Sequence, residues 1–268
     1  MCAEPAVIDI RRHNANFCAE HVLRLCRDQT AKSIAGFSML DPDDRLLVAV
    51  SGGKDSLAVW DILIELGYDA EGYHLGLGIG EYSRRSENHA MRFADARGLV
   101  LHVEDLRRDH GFDVPNGSRA ARRAPCSACG LSKRHLPAGA GFPKKVKPLV
   151  RLTERETAAY CILRGIEYMV EECPMASGNK HLAYKAALND LEVESPGAKH
   201  DFYFGFLREP IGRFRAPEAE AGPTVQPCAR CGAPTSNHIC AFCGLKERAC
   251  APVPIALRRR RPRRRSGR

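Results

Sequence analysis

Residues 45–50, Arg-Leu-Leu-Val-Ala-Val, are a short apolar run that ends against two glycines at 52 and 53. Such a run, followed at once by a helical period over residues 55–66 and a stop at Gly67, predicts a buried strand, a tight turn and a helix. The same alternation continues. Residues 69–77 predict a second strand, residues 86–97 a helix closed by Gly98, and residues 99–104 a third strand. Strand–helix–strand–helix–strand order predicts a mostly parallel sheet clothed in helices, a Rossmann-like α/β domain.

Outside this unit the pattern is less regular. Residues 13–37 predict mostly helix, residues 107–125 a polar loop, residues 126–136 entry into a short helix, and residues 146–150 another strand. Thr153 and Glu156 have the spacing of a capping box at the head of a helix in which Cys161 is a core residue. Residues 178–207 predict one or two further helices. The expected organisation is an amino-terminal module over 1–28, the α/β domain over 29–208, a linker over 209–226, a cysteine module over 227–250 and an arginine-rich tail over 251–268.

Charge changes the picture only at that tail. The formal net charge is +9, but eight of the 41 basic residues lie in the last eleven positions, leaving 33 to face 32 acidic ones. The tail attracts polyanions such as RNA or serves as a solubilising end. No run is apolar enough to span a bilayer and no secretory leader opens the chain, so a cytoplasmic protein with no membrane partner is expected.

Twelve cysteines change it more. Cys126/Cys129, Cys228/Cys231 and Cys240/Cys243 are C-x-x-C pairs, which in a reducing compartment favour metal over disulfides. The last two pairs supply four thiolates, a set suited to a closed tetrahedral Zn2+ site with a structural role. Cys250 falls outside the spacing and is expected to be free.

The loop Ser51-Gly52-Gly53-Lys54-Asp55-Ser56 does not fit G-x-x-x-x-G-K-[ST], and no G-x-G-x-x-G is present. Its setting still predicts an anion site. Glycines let backbone N–H groups approach an anion, and the following helix adds its positive end. Ser51 and Ser56 can donate hydroxyl hydrogen bonds, Lys54 can neutralise phosphate, and Asp55 can orient Mg2+. His74 ends the second strand, where ligands of parallel sheets collect.

This loop, after its apolar strand, resembles the pyrophosphatase-type loop (PP-loop) of ATP-dependent tRNA-modifying enzymes. Cys126 and Cys129, with Cys173 in Glu-Glu-Cys-Pro-Met-Ala, resemble the three cysteines of the tRNA 2-thiolation branch. The terminal modules resemble that branch too, and the likeness spans about residues 5–250. It implies an enzyme that adenylates the C2 oxygen of a tRNA uridine or ribothymidine with ATP, then replaces it by sulfur. It implies a [4Fe-4S] cluster on Cys126, Cys129 and Cys173 with one iron open to sulfide. A Cys126 or Cys173 persulfide, or a zinc ion with one external ligand, are the other chemistries these thiols allow. The resemblance also gives Lys133 a role at the nucleotide or base. It names a ubiquitin-like thiocarboxylated carrier or other sulfide donor, and a homodimer, as partners. In the amino-terminal module it assigns Cys2, Cys18 and His21 to a second zinc, with water or Cys26 completing the set.

The chain departs from the pattern after Leu136. Relatives carry there a strand, an acidic turn that helps position ATP, and a helix. Here Pro-Ala-Gly-Ala-Gly-Phe-Pro alone separates Leu136 from Lys144. A shortened sheet is expected, and closing or exposing such a gap is costly. Two rival readings follow: cytidine 2-thiolation or another PP-loop reaction on tRNA, and a catalytically impaired zinc-containing tRNA-binding protein.

Overall fold

In the computed structural model, which describes residues 2–122, 125, 143–208 and 225–251, strand β3 (Arg45–Ala49) pairs with β4 (Asp69–Gly76), and β4 with β5 (Leu101–Asp105), all in parallel. Ahead of them stand a small antiparallel hairpin, β1 (Ile8–Ile10) with β2 (Ala15–Phe17), and helix α1 (Ala19–Gly36). Left-handed Asn14, at φ 47°, closes the hairpin, so the predicted helix begins at Ala19 and not near His13. Helices α2 (Lys54–Glu65) and α3 (Gly80–Arg97) connect the parallel strands.

Trp60 of α2 forms the centre of the core. Its indole lies fully buried over Gly72 of β4, where a Cβ would collide with the ring. It packs on Phe93 of α3 at 5.2 Å and donates its N–H to the Ala70 carbonyl at 2.9 Å, so burial leaves no unsatisfied donor. Val48, Val50, Leu57, Ile62, Ala90 and Tyr160 belong to the same cluster.

Residues 107–125 are not simply a loop. Asp105 accepts hydrogen bonds from the backbone N–H groups of Arg107 and Arg108 and starts α4 (Leu106–His110); Asp113 accepts from Asn116 and starts α5 (Val114–Ala121). Both are ordinary N-caps that a polar composition concealed. Residues 146–150 are not a strand either: Pro148–Arg151 is a 3-10 turn, in which proline's missing N–H costs nothing. The capping box of Thr153 and Glu156 is complete and opens α6 (Glu154–Leu163). Helices α7 (Lys180–Glu194) and α8 (Ala198–Arg208) follow, then a short hairpin, β6 (Gln226–Pro227) with β7 (Pro234–Thr235), and α9 (Ala241–Cys250). None of the described helices is long and apolar enough to cross a membrane.

Among the described residues the parallel sheet has three strands. Among the described residues β3 has β4 as its only strand neighbour. On the face away from Trp60, Leu47 is 63% and Val100 54% exposed. Parallel sheets are normally covered on both faces. Beyond the turn that follows β3, Met169 makes a single parallel bridge to Gly53, the N-cap of α2.

Candidate functional site

The chain leaves β3 at Val50, whose N–H is held by the Tyr73 carbonyl at 2.8 Å, and turns at the C-terminal end of the sheet. Gly52 takes the turn at φ 71°, a left-handed conformation that side chains rarely adopt. It also passes against α3 so closely that a Cβ would overlap the Ser86 carbonyl. Ser86 fastens the turn by donating its hydroxyl to the Ser51 carbonyl at 2.6 Å, and Met169 N–H reaches the Gly52 carbonyl at 2.8 Å. Ser56 closes it from inside, accepting from Ser51 N–H at 3.1 Å and donating to the Gly53 carbonyl at 2.9 Å.

Gly53 is the N-cap of α2 and brings no side chain to its first N–H groups. Those donors remain available to an anion, at the end of the helix where the dipole favours one. Lys54 and Asp55 form an ion pair at 3.0 Å. The other oxygen of Asp55 accepts a hydrogen bond from the Thr157 hydroxyl at 2.7 Å. His74 is buried, with Nδ1 at 2.8 Å from the Val50 carbonyl; that contact assigns the proton to Nδ1. The ring thus braces the end of β3 beneath the loop.

Cys173 is half-buried beside a second apolar cluster, built from Ile79, Leu106, Phe112, Val114 and Leu245. It follows Met169 by four residues, so it lies within about 14 Å of the residue that bridges to the loop. Glu171, just before it, is tied to Arg85 of α3 at 2.6 Å. Cys126, Cys129 and Lys133 lie outside the described residues.

Cys228, Cys231, Cys240 and Cys243 bring their sulfurs within 4.8 Å of one another. Cys228 accepts hydrogen bonds from the N–H groups of Cys240 and Arg230, which hold its thiol down at about 6; burial pushes the Cys243 thiol up to about 12. Four converging sulfurs with backbone N–H donors around them fit Zn2+, which would bind all four as thiolates. The module is not a loose appendage: Leu245 of α9 is buried in the second cluster, and Phe242 packs on Phe112 at 5.8 Å. Cys228→Ser is therefore expected to remove one bound zinc per chain and to expose α9 to limited proteolysis. Metal analysis before and after digestion checks both.

Cys2, Cys18 and His21 also converge, with Cys18 Sγ 3.8 Å from Cys2 Sγ and 3.0 Å from His21 Nδ1. Hydrogen bonding from His21 lowers the Cys18 thiol below its usual range. Cys26 is no part of this group. It is fully buried beneath Glu156, its thiol 3.7 Å from that residue's carbonyl, and burial pushes it up to about 12.

Ser86 and Thr157, which touch the loop most closely, carry no sequence signal of that contact; both reach it only through tertiary packing of α3 and α6.

No family profile matches the chain. It is 39% identical to the tRNA-5-methyluridine(54) 2-sulfurtransferase of Thermus thermophilus over 97% of both chains. It is 34% identical to the protein of that name from Pyrococcus horikoshii, over 92% of this chain and 93% of that one. The fold is that of the U34-tRNA thiolase NcsA from Methanococcus maripaludis, solved with its [4Fe-4S] cluster: TM-score 0.66 at 18% identity, over 92% of this chain and 94% of the other. The alignment with the Thermus protein runs over 313 positions against a chain of 268 residues, so at least 45 positions of that relative have no counterpart here.

Proposed function

The chain belongs to the family of tRNA 2-thiolation sulfurtransferases, and we propose that it uses ATP to replace the C2 oxygen of 5-methyluridine at tRNA position 54 with sulfur. The observation that carries the reading is the loop: a glycine turn pinned by Ser86 and Met169 that presents the uncapped head of α2, with Lys54 as its first residue.

A uridine C2 oxygen is a poor leaving group. In the proposed reaction it attacks the α-phosphorus of ATP, a new P–O bond forms, and the bond to the β-phosphate breaks. Pyrophosphate leaves, and the base oxygen now carries AMP. Lys54 and the N–H groups of the loop hold the phosphates and balance the charge that gathers on them. Ser51 and Ser56 keep the turn in shape, and His74 fixes the strand end below it. Asp55 presents a carboxylate oxygen where Mg2+ on the nucleotide would be oriented. Sulfide then adds to C2, and AMP departs with the oxygen.

Cys126, Cys129 and Cys173 are proposed to hold the [4Fe-4S] cluster, which when bound supplies the iron site that receives sulfide. The apolar cluster against which the half-buried Cys173 packs suits such a group, because burial and solvent exposure tune iron–sulfur sites. Lys133 is proposed to act at the nucleotide or base. Cys228, Cys231, Cys240 and Cys243 hold a structural zinc, and Cys2, Cys18 and His21 contribute to a second. The sulfur donor is a ubiquitin-like thiocarboxylated carrier or another sulfide donor, working with the enzyme in the cytoplasm. A homodimer completes the proposal, supported by the exposed Tyr184, Leu188 and Leu191 of α7 and Phe202 of α8.

The positions missing relative to the Thermus protein favour one second reading, a tRNA-binding protein with impaired catalysis. Pyrophosphate release separates the two. Protein reconstituted without oxygen should release pyrophosphate from ATP only when unmodified tRNA is added, and Lys54→Ala should lower the rate by about 10²–10³-fold. tRNA binding without any release would support the second reading.

A further inference from the structure

We propose that Thr157 is a positioning residue that sets the orientation of the Asp55 carboxylate at the mouth of the loop. The inference rests on the proposed reading of Asp55 as the group that orients the nucleotide's Mg2+.

Asp55 sits in the first turn of α2 with its side chain 57% exposed. A carboxylate in that setting ordinarily turns freely in water. Here it does not, because Thr157 Oγ1 stands 2.7 Å from Oδ1. The Thr157 hydroxyl also lies 3.1 Å from the Glu154 carbonyl, but it has one proton to give. The ionised carboxylate is the stronger acceptor and the nearer one. With Oδ1 bound from below and Oδ2 3.0 Å from the Lys54 ammonium, the plane of the carboxylate is fixed.

Thr157 is itself held in place. It is 2% exposed and lies in the first turn of α6, beside the capping box. The neighbouring Glu156, 1% exposed, takes two hydrogen bonds from the Arg12 guanidinium at 2.8 and 2.9 Å. The hydroxyl that orients Asp55 is thus mounted on a turn fastened to the amino-terminal module. A group that must hold a metal-bound phosphate gains from support of this kind, since its own rotation then costs nothing on binding.

The test compares Thr157→Val, which keeps the shape and removes the hydroxyl, with Thr157→Ser, which keeps the hydroxyl. Calorimetric titration with ATP, with and without Mg2+, reads the nucleotide site directly. Thr157→Val is expected to weaken MgATP binding about tenfold while leaving binding of metal-free ATP nearly unchanged. The half-saturating Mg2+ for pyrophosphate release should rise by a similar factor, and Thr157→Ser should recover most of both. Wild-type Mg2+ dependence in the Val variant overturns the inference, as does equal loss in Val and Ser, which marks a packing role. If the wild-type protein binds MgATP but releases no pyrophosphate, the adenylation reading fails; a selective MgATP defect in Thr157→Val still upholds the role of Thr157.

Discussion

Gly52→Ala should reduce tRNA-dependent pyrophosphate release by about 100-fold or more, with the folded core retained. Two separate constraints meet at this residue. Its φ of 71° costs an L residue roughly 1–2 kcal/mol. The added methyl would also overlap the backbone carbonyl of Ser86, which cannot rotate aside as a side chain could. Relief requires the turn to lift off α3, which breaks the Ser86 hydroxyl bond to Ser51 and the Met169 bond to Gly52. The N–H groups and Lys54 then miss the phosphates by about an ångström, a displacement that costs on the order of 10²-fold in rate. Circular dichroism should show native helix content, which separates a misplaced loop from an unfolded chain.

Arg12→Ala carries the largest expected cost in stability. Its guanidinium is nearly buried, forms the two-point pair with Glu156, and donates to the Arg151 carbonyl at 3.1 Å. Removing it leaves a carboxylate buried without a counter-charge, which costs about 3–5 kcal/mol. In a chain of this size that corresponds to a fall in Tm of about 10 °C. Glu156→Gln added to Arg12→Ala should recover part of the loss, because an amide preserves the cap on Thr153 N–H without the stranded charge. Thermal unfolding followed by circular dichroism decides it. Equal Tm values for wild type and Arg12→Ala would mean that the pair does not secure α6, and the mounting proposed for Thr157 would lose its foundation.

Local rules make the loop legible in the sequence. An apolar run, two glycines and a helical period can mean little else, and the observed β3, turn and α2 follow that pattern. The carboxy-terminal cysteines were legible for the same reason: ligand spacing is local, and their sulfurs do converge. The reading faltered where a polar side chain serves the backbone. Asp105 and Asp113 look like loop residues until they are seen to cap α4 and α5. The apolar Val146, Leu149 and Val150 suggest a strand through Pro148, yet Pro148–Arg151 is a 3-10 turn. Cys26 illustrates another limit. Its position near Cys18 and His21 in the chain suggested a ligand, but the helical period of α1 turns it to the core under Glu156. Ser86 and Thr157 were invisible because each acts on the loop across the fold, from 35 and 102 residues away.

The deficit after Leu136 is a different matter, visible in the sequence as too few residues for the expected elements. The Thermus relative has at least 45 aligned positions without a counterpart in this chain, and among the described residues Leu47 of β3 and Val100 just before β5 are open to solvent. Whether chemistry survives that loss is decided most directly on the tRNA itself. Protein reconstituted with iron and sulfide would be incubated without oxygen with unthiolated tRNA, ATP, Mg2+ and sulfide. The nucleosides would then be separated and weighed by mass spectrometry. The proposed function predicts 2-thio-5-methyluridine from position 54, formed only with ATP and absent with Lys54→Ala. Thiolated cytidine in its place, or no thiolated nucleoside from protein that holds both tRNA and cluster, would contradict it.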